Sequence, residues 1–314
     1  MVRELSQKSE TLLLKPGRLW NQAIAKTEYA RQTGDLKSIE TEYQLIEQDN
    51  ISFVIRSLSN ITRKEEAKAQ QKLQEVKTGK YIDPFLPYNP NLFVCDISAS
   101  HLCLLNKFNI VDGHLLIVTR DFEEQENLLN IHDFAALWSC MKEIDGLAFY
   151  NGGPAAGSSQ RHKHLQLLPL PLIPDLACLP IQPAIDQVRF QNSLGIIPSF
   201  PFINAIASYD FTKIDNPFTV GKLMLDCYYS LLEKVGLNLL DNSPQQPAAY
   251  NFLATRKWMM VIPRSRDSFD SIAINSLGFA GSLFVRDQTG LELLKEQTPL
   301  NVLSSVAYSK LIEN

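Results

Sequence analysis

The sequence predicts an α+β fold, and three observations lead there. Apolar Ile51, Phe53 and Ile55 alternate with other residues, as a half-buried strand requires, and His101–Leu105 and His114–Thr119 read as further strands around the turn signal Asp112-Gly113. The links between such segments are short, which suits antiparallel neighbours, because a parallel crossover needs a dozen or more residues. Among them, residues 131–144 place Phe134, Leu137, Trp138 and Met141 on one side of a helix.

Taken in order, residues 17–33 have helical spacing, with Leu19, Ala23 and Ile24 apolar among Lys26, Glu28 and Arg31. The strand at 51–58 is followed by a charged stretch, Arg63 to Lys80, which reads as a solvated helix or a mobile loop. A lysine from such a segment could close over a phosphate. After the helix at 131–144, Leu147–Tyr150 is a short strand entering a glycine-rich turn, and His162–Leu168 is the next strand. Prolines at 169, 171, 174, 180 and 183 end regular structure and mark a crossing between two lobes. The expected domains are 1–175 and 176–314. The second lobe should hold a helix near 218–235, strands at Ala249–Thr255 and Trp258–Ile262, and a small-residue loop from Asn275 to Ser282. No internal repeat or low-complexity segment stands out.

At 314 residues the chain has room for a sizeable core, and 45% hydrophobic with 20% charged residues is ordinary soluble composition. A net charge of −4 argues against a general nucleic-acid binder, whose footprint is basic, but allows a small polyanion held by a few local cations. The five cysteines are odd in number and never spaced Cys-x-x-Cys, which disfavours a disulfide framework or a cysteine zinc site and fits a reducing compartment. The charged N-terminus shows no signal peptide, and no run nears the roughly 18 apolar residues of a membrane span. A cytoplasmic protein is expected.

The chemistry concentrates in His162-Lys163-His164-Leu165-Gln166. On a strand, His162, His164 and Gln166 share one face, and Lys163, Leu165 and Leu167 share the other. A neutral imidazole attacks phosphorus well, and same-face histidines also suit a metal or plain burial; spacing alone leaves nucleophile, metal ligand and structural histidine equally open. A zinc site needs a third ligand, and His101, His114 and His132 carry no matching signature. They read as packing residues, with His132 exposed at a helix start. The upstream run Asn151-Gly152-Gly153-Pro154-Ala155-Ala156-Gly157-Ser158-Ser159-Gln160 shifts the balance. Its small residues and backbone N–H groups suit a phosphate cradle, and Ser159 lies five residues before His164.

The run from Phe149 to Ser159 together with His162–Gln166 resembles the diadenosine tetraphosphate phosphorylases, or ATP adenylyltransferases, the transferase branch of the histidine triad superfamily. The likeness extends to Leu105-Asn106-Lys107-Phe108, His114–Thr119, Tyr250-Asn251-Phe252, Trp258–Ser265 and Asn275–Gly278, spanning about residues 50–286. It implies a histidine-triad-like antiparallel sheet flanked by helices, completed by a C-terminal ATP adenylyltransferase lobe. It also implies that His164 becomes adenylylated, with Gln166 bonded to the α-phosphate; His162 reads as a supporting residue, hydrogen-bonded to the backbone near His164 and fixing its tautomer. The family's nucleotide contacts carry to Lys64, Asn106, Lys107, Asn151, Gly157, Ser158, Ser159, Gln160, Asn275, Ser276, Leu277, Ser282 and Arg286. Three positions depart from the fungal pattern: Arg161 stands where an acidic residue is common, and Ser282 and Arg286 where methionine and lysine are. These bear on adenosine and phosphate-chain selectivity rather than on adenylyl chemistry.

The expected activity is reversible phosphorolysis of diadenosine tetraphosphate to ADP and ATP through AMP on His164, with adenylyl transfer from ADP to sulfate as an implied side activity. Partners would be diadenosine polyphosphates, ATP, ADP, phosphate and sulfate, with no nucleic acid or membrane and a monomeric state. A divalent cation, magnesium, would arrive with the substrate, with no tightly bound protein metal. Two alternatives stand beside this. One is another superfamily member, a hexose-1-phosphate uridylyltransferase (disfavoured by the missing metal spacing) or a dinucleotide hydrolase (disfavoured by Gln166). The other is a non-catalytic nucleotide sensor.

Overall fold

The computed structural model describes residues 11–58, 81–239 and 243–310. Strands β1 (Thr41–Gln48) and β2 (Ile51–Leu58) form a hairpin through Asp49 and Asn50, both at positive φ, the conformation a two-residue turn needs to match strand twist. An unexpected short strand, β3 (Phe93–Asp96), comes next, and the expected strands then appear as β4 (His101–Leu105), β5 (Leu115–Thr119), β6 (Gly146–Gly152) and β7 (His164–Pro169). The second half adds β8 (Leu194–Gly195), β9 (Ala205–Ser208), β10 (Tyr250–Ala254), β11 (Trp258–Pro263), β12 (Ser268–Phe269), β13 (Ile272–Ala273) and β14 (Ser282–Val285).

One nine-stranded sheet runs β3-β4-β5-β7-β6-β10-β11-β9-β8, antiparallel at every junction. The strands on either side of the 175/176 boundary thus share this sheet, joined where β6 pairs with β10. A smaller sheet pairs β1, β2 and β14, the last parallel to β2.

Helices α1 (Leu19–Gln32), α2 (Ile131–Glu143) and α4 (Pro217–Lys234) cover one face of the large sheet. Asn130 and Asp133 form a capping box that starts α2, and Asn216 followed by Pro217 starts α4. The two helices approach closely at Gly221, where a Cβ would lie 2.7 Å from the Ile131 carbonyl oxygen. Leu115, Ile117, Leu165 and Leu167 point into this core. On the opposite face, Leu102, Leu104, Leu116 and Val118 gather with Phe85. Phe149, Leu168, Leu253 and Ile262 pack there against the small sheet and α3 (Gln182–Ile185), α5 (Ser276–Phe279), α6 (Gln288–Gln297) and α7 (Pro299–Val306). Burying each large apolar side chain contributes about 1.5–3 kcal/mol, so both faces of β5 and β7 help hold the sheet.

Two expectations shift. The strand expected from His162 begins at His164, because residue 162 makes only an isolated bridge to Glu124. The loop expected at 275–282 contains a helical turn capped by Asn275 and then enters β14, whose pairing partner lies far away in sequence. No helix of the described residues is long and apolar enough to cross a membrane.

Candidate active site

His164 sits in the middle of the large sheet, opposite Val118 of β5, on the face away from α2. Its backbone is held by Gln125, whose Oε1 accepts from His164 N at 2.9 Å while Nε2 donates to the His164 and Asn151 carbonyls. Its ring Nδ1 lies 2.8 Å from the His162 carbonyl oxygen. A carbonyl only accepts, so Nδ1 carries the proton and Nε2 presents a lone pair. Burial pushes the His164 pKa down to about 4, outweighing the pull of that carbonyl, so the imidazole is neutral at physiological pH. A neutral Nε2 is what nucleophilic attack requires.

The His162 ring plays a different part from the one expected. Its Nδ1 lies 2.8 Å from Asp83 Oδ2, and Nε2 faces the Thr119 carbonyl at 2.8 Å and hydroxyl at 3.0 Å. The carbonyl of His162, not its imidazole, sets the tautomer of His164. The two rings do lie on one side: Phe85 packs against both, with centroids 5.6 and 5.3 Å away. Phe122 closes on His162 from another direction.

Gln166 lies between Leu116 and Phe149 on the same face as His164. Its Oε1 is 2.9 Å from His114 Nε2, and His114 Nδ1 is 3.1 Å from Asn106 Nδ2. Asn106 Nδ2 can only donate, so His114 accepts at Nδ1 and donates from Nε2 to the Gln166 oxygen. Gln166 is therefore fixed by its carbonyl end, leaving the amide nitrogen as the end that can donate to a phosphate oxygen. His114, expected to be a packing residue, is the middle of this relay. His132 is likewise not simply exposed: it is half-buried with its ring against Phe218.

On the other face, Lys163 is fully buried, with Nζ 2.6 Å from Asp133 Oδ2 on α2, 2.9 Å from the Leu128 carbonyl oxygen and 3.3 Å from Glu123 Oε2. Asp133 Oδ1 also meets His101 Nε2 at 3.0 Å. Burial alone would raise the Asp133 pKa, but Lys163 and His101 hold it well below the usual carboxylate range. The charge of Lys163 belongs to the helix side and is internally paired.

The cradle differs from expectation in detail. Gly153 and Gly157 take positive φ at the two ends of a 3₁₀ turn over Pro154–Ala156. This turn uses the amides of Ala156, Gly157 and Ser158 on the carbonyls of Gly153 and Pro154, so they point inward. Among the described residues the amides of Ser159 and Gln160 have no backbone acceptor, which moves the donor end of the loop toward His164. The Ser158 hydroxyl bonds the Gln160 carbonyl. Gly157 packs so closely that a Cβ there would lie 2.6 Å from the Ile274 carbonyl oxygen.

Beneath the loop lies a buried polar hub. Asn151 Oδ1 accepts from Asn251 Nδ2, Ser276 N and Ser276 Oγ at 2.7–3.0 Å. Asn251 Nδ2 also reaches the Ala156 carbonyl and Ser276 Oγ, both at 2.9 Å, and its Oδ1 accepts from the Arg264 guanidinium. Asn151 and Ser276, both expected as nucleotide contacts, therefore turn their side-chain oxygens into this hub. Asn275 Oδ1 caps α5 by accepting from the Leu277 amide.

This geometry can be set beside known proteins. The family model of the Ap4A phosphorylase N-terminal domain matches residues 9–187, and that of the ATP adenylyltransferase C-terminal domain matches residues 198–309. The chain belongs to the Ap4A phosphorylase family. Diadenosine 5',5'''-P1,P4-tetraphosphate phosphorylase 2 of Saccharomyces cerevisiae is 30% identical over 254 residues, covering 69% of this chain and 73% of the relative. Protein APA1 of the same yeast is 28% identical, covering 88% and 89%. The crystal structure of yeast Ap4A phosphorylase Apa2 has the same fold, with a TM-score of 0.75 at 23% identity over 96% of this chain and 98% of that one. A further Apa2 structure, in complex with Ap4A, also gives 0.75 over 95% of this chain and 100% of that one. Family membership makes the protein a nucleotidyltransferase with a two-part, histidine-triad-like fold.

Against this family background, the remaining candidate residues separate. Lys107 is exposed next to Asn106, its ammonium 5.7 Å from the Phe108 ring. Ser282 is buried at the start of β14, opposite Val54 in the small sheet, and Arg286 is exposed just past the end of that strand. Arg161 pairs with Glu124 and lies over the Tyr81 and Phe122 rings, at 5.2 and 6.0 Å. Lys64, with the rest of 63–80, lies outside the described residues. Among the described residues no group of three or more His, Cys, Asp or Glu side chains could hold a metal ion. Sequence reasoning missed Asp83, Gln125 and His114. A buried glutamine or a half-buried loop aspartate has no periodic signature, though His114 could have been flagged by its position immediately before the neighbouring strand.

Proposed function

We propose that the protein catalyses reversible phosphorolysis of diadenosine tetraphosphate through an AMP–histidine intermediate. The observation that supports this best is the state of His164: neutral by burial, its one ring proton on Nδ1 donated to the His162 carbonyl, with Nε2 as the nucleophile. Nε2 attacks the α-phosphorus, the bond to the bridging oxygen breaks, and ATP leaves as a stable anion. Inorganic phosphate then attacks the same phosphorus, the N–P bond breaks, and ADP forms. The proton stays on Nδ1, hydrogen-bonded to the His162 carbonyl, throughout, so each step is a displacement without net proton transfer to the ring.

Gln166 fits this chemistry better than an acid would. A polyphosphate leaves without protonation, and the amide can donate to the α-phosphate in both steps while His114 holds its other end. Lys107, with Lys64, would balance polyphosphate charge, and the 157–160 loop would hold the phosphate oxygens. Magnesium would enter with the nucleotide as part of the substrate. Sulfate, an anion of similar shape, would serve as an alternative adenylyl acceptor from ADP.

The test is intact mass after incubation with diadenosine tetraphosphate in the absence of phosphate, quenched under mildly alkaline conditions. A gain of one AMP, lost in His164→Ala, is the expected result. Absence of both adduct and ATP release from the wild-type protein would sink the mechanism. Turnover that then requires phosphate separates phosphorolysis from hydrolysis.

A further inference from the structure

We infer that Arg264 is a positioning residue for this reaction: its buried guanidinium locks the phosphate loop to the second half of the chain and supplies a positive charge that a bound polyphosphate completes. The inference rests on reading 153–160 as a phosphate cradle. Arg264 directly follows β11, is among the largest fully buried side chains and is 1% exposed. Its Nε donates to the Val306 carbonyl at 3.1 Å, and Nη2 donates to the carbonyls of Arg266 and Ile274 at 2.6 and 3.0 Å. Nη1 donates to Asn251 Oδ1 and, at 3.4 Å, to the Ala156 carbonyl. One plane of donors thus spans both sides of the tight contact between Gly157 and residues 274–275.

Every one of these acceptors is an uncharged carbonyl or amide oxygen, and the guanidinium stacks on Phe279 at 5.2 Å. Among the described residues no carboxylate bonds to it, although Asp267 acts on it at longer range. Burial lowers its pKa to about 9, which still leaves it cationic at neutral pH. A purely structural clasp of carbonyls could be built from neutral donors, and burying a cation without its own carboxylate is costly. On this inference, the charge of an anion held in the 153–160 cradle offsets that cost through space, since the guanidinium's own donors are already taken. Lys163 shows the contrast, since its buried charge is paired by Asp133.

The experiment compares full-length wild type with Arg264→Lys, which keeps charge and loses the fork, and Arg264→Gln, which loses both. Inorganic tripolyphosphate is the binding probe, read as a rise in Tm, and turnover of diadenosine tetraphosphate with phosphate gives kcat. The wild type should be stabilised by tripolyphosphate; Arg264→Lys should keep most of that rise and Arg264→Gln less than about half of it. Both variants should lose on the order of tenfold in kcat, because the loop is misplaced. Wild-type kcat in Arg264→Lys, or a full tripolyphosphate response in a folded Arg264→Gln, would overturn the inference, as would no response in the wild type. If Arg264→Gln does not fold, the kcat of Arg264→Lys decides. A missing AMP adduct on wild-type protein would remove the proposed activity but leave the tripolyphosphate comparison readable.

Discussion

Lys163 and His164 are neighbours in sequence and face opposite sides of one sheet, and the two sides treat polar groups in opposite ways. Toward the helices, Lys163 is closed off: Asp133, Glu123 and the Leu128 carbonyl surround its ammonium, and His101 takes the second oxygen of Asp133. Toward the cradle, the His162 and His114 rings are bonded at both nitrogens, but the two groups they flank are each held at one end only. His164 is fixed through Nδ1 and Gln166 through Oε1, which leaves a lone pair and an amide. A paired buried charge stabilises the sheet, whereas a half-satisfied group is ready for a ligand. The comparison teaches that the conspicuous basic residue of the motif belongs to the scaffold, and the uncharged residues beside it to the chemistry.

The largest effect expected is on the closed side. Lys163→Met leaves Asp133 buried without its ammonium, and urea unfolding should show a loss of about 3–5 kcal/mol, while protein that remains folded still forms the AMP adduct. Loss of the adduct without loss of stability would reverse the assignment of sides. On the open side, Gln166→Glu replaces the donor amide with an acceptor carboxylate beside a phosphate. Adenylylation measured by single-turnover ATP release should slow by about 10²-fold or more, with urea stability little changed. His114→Ala frees the Gln166 oxygen without touching substrate, and about a tenfold drop in the same rate is expected, with the KM for diadenosine tetraphosphate nearly constant. An unchanged rate would show that Gln166 does not need the relay.

The smallest effect is with pH. A histidine at its ordinary pKa near 6.5 would lose about nine-tenths of its neutral form by pH 5.5. His164, with its pKa lowered to about 4, stays neutral there, so the rate of the phosphate-free step should vary by less than about twofold between pH 5.5 and 7.5. The stability sign agrees: the unfolded chain binds a proton on this residue below about 6.5 while the folded one does not. The contribution of His164 to folding is therefore complete above the unfolded pKa and is lost as pH falls toward about 4. A limb in the rate centred near 6.5 would mean that the ring is hydrated rather than buried.

Much of the frame was legible because local periodicity reports it. Strands β4 and β5 and helices α1, α2 and α4 fall within a residue or two of where apolar spacing and turn signals place them. Strand β1 was not read, because its burial pattern shows no clean apolar alternation, and β9 was not, because it is four residues long amid prolines. Strand β14 takes its identity from parallel pairing with β2, which no local pattern encodes. The polar hub was equally hidden: Asn151 and Asn251 are 100 positions apart and meet only because β6 and β10 are adjacent.

What the sequence by itself determined is the chemical inventory: two histidines and a glutamine at alternate positions, a glycine-serine turn just before them, and the family they match. Local spacing suffices for that, because strand geometry sends alternate residues to one face whatever surrounds them. The tertiary structure decided which nitrogen of His164 is open, that the His162 ring answers to Asp83 and Thr119, that His114 aims Gln166, and that most cradle amides turn inward. These are set by hydrogen-bond partners brought from distant strands and by burial, and both exist only once the chain is folded.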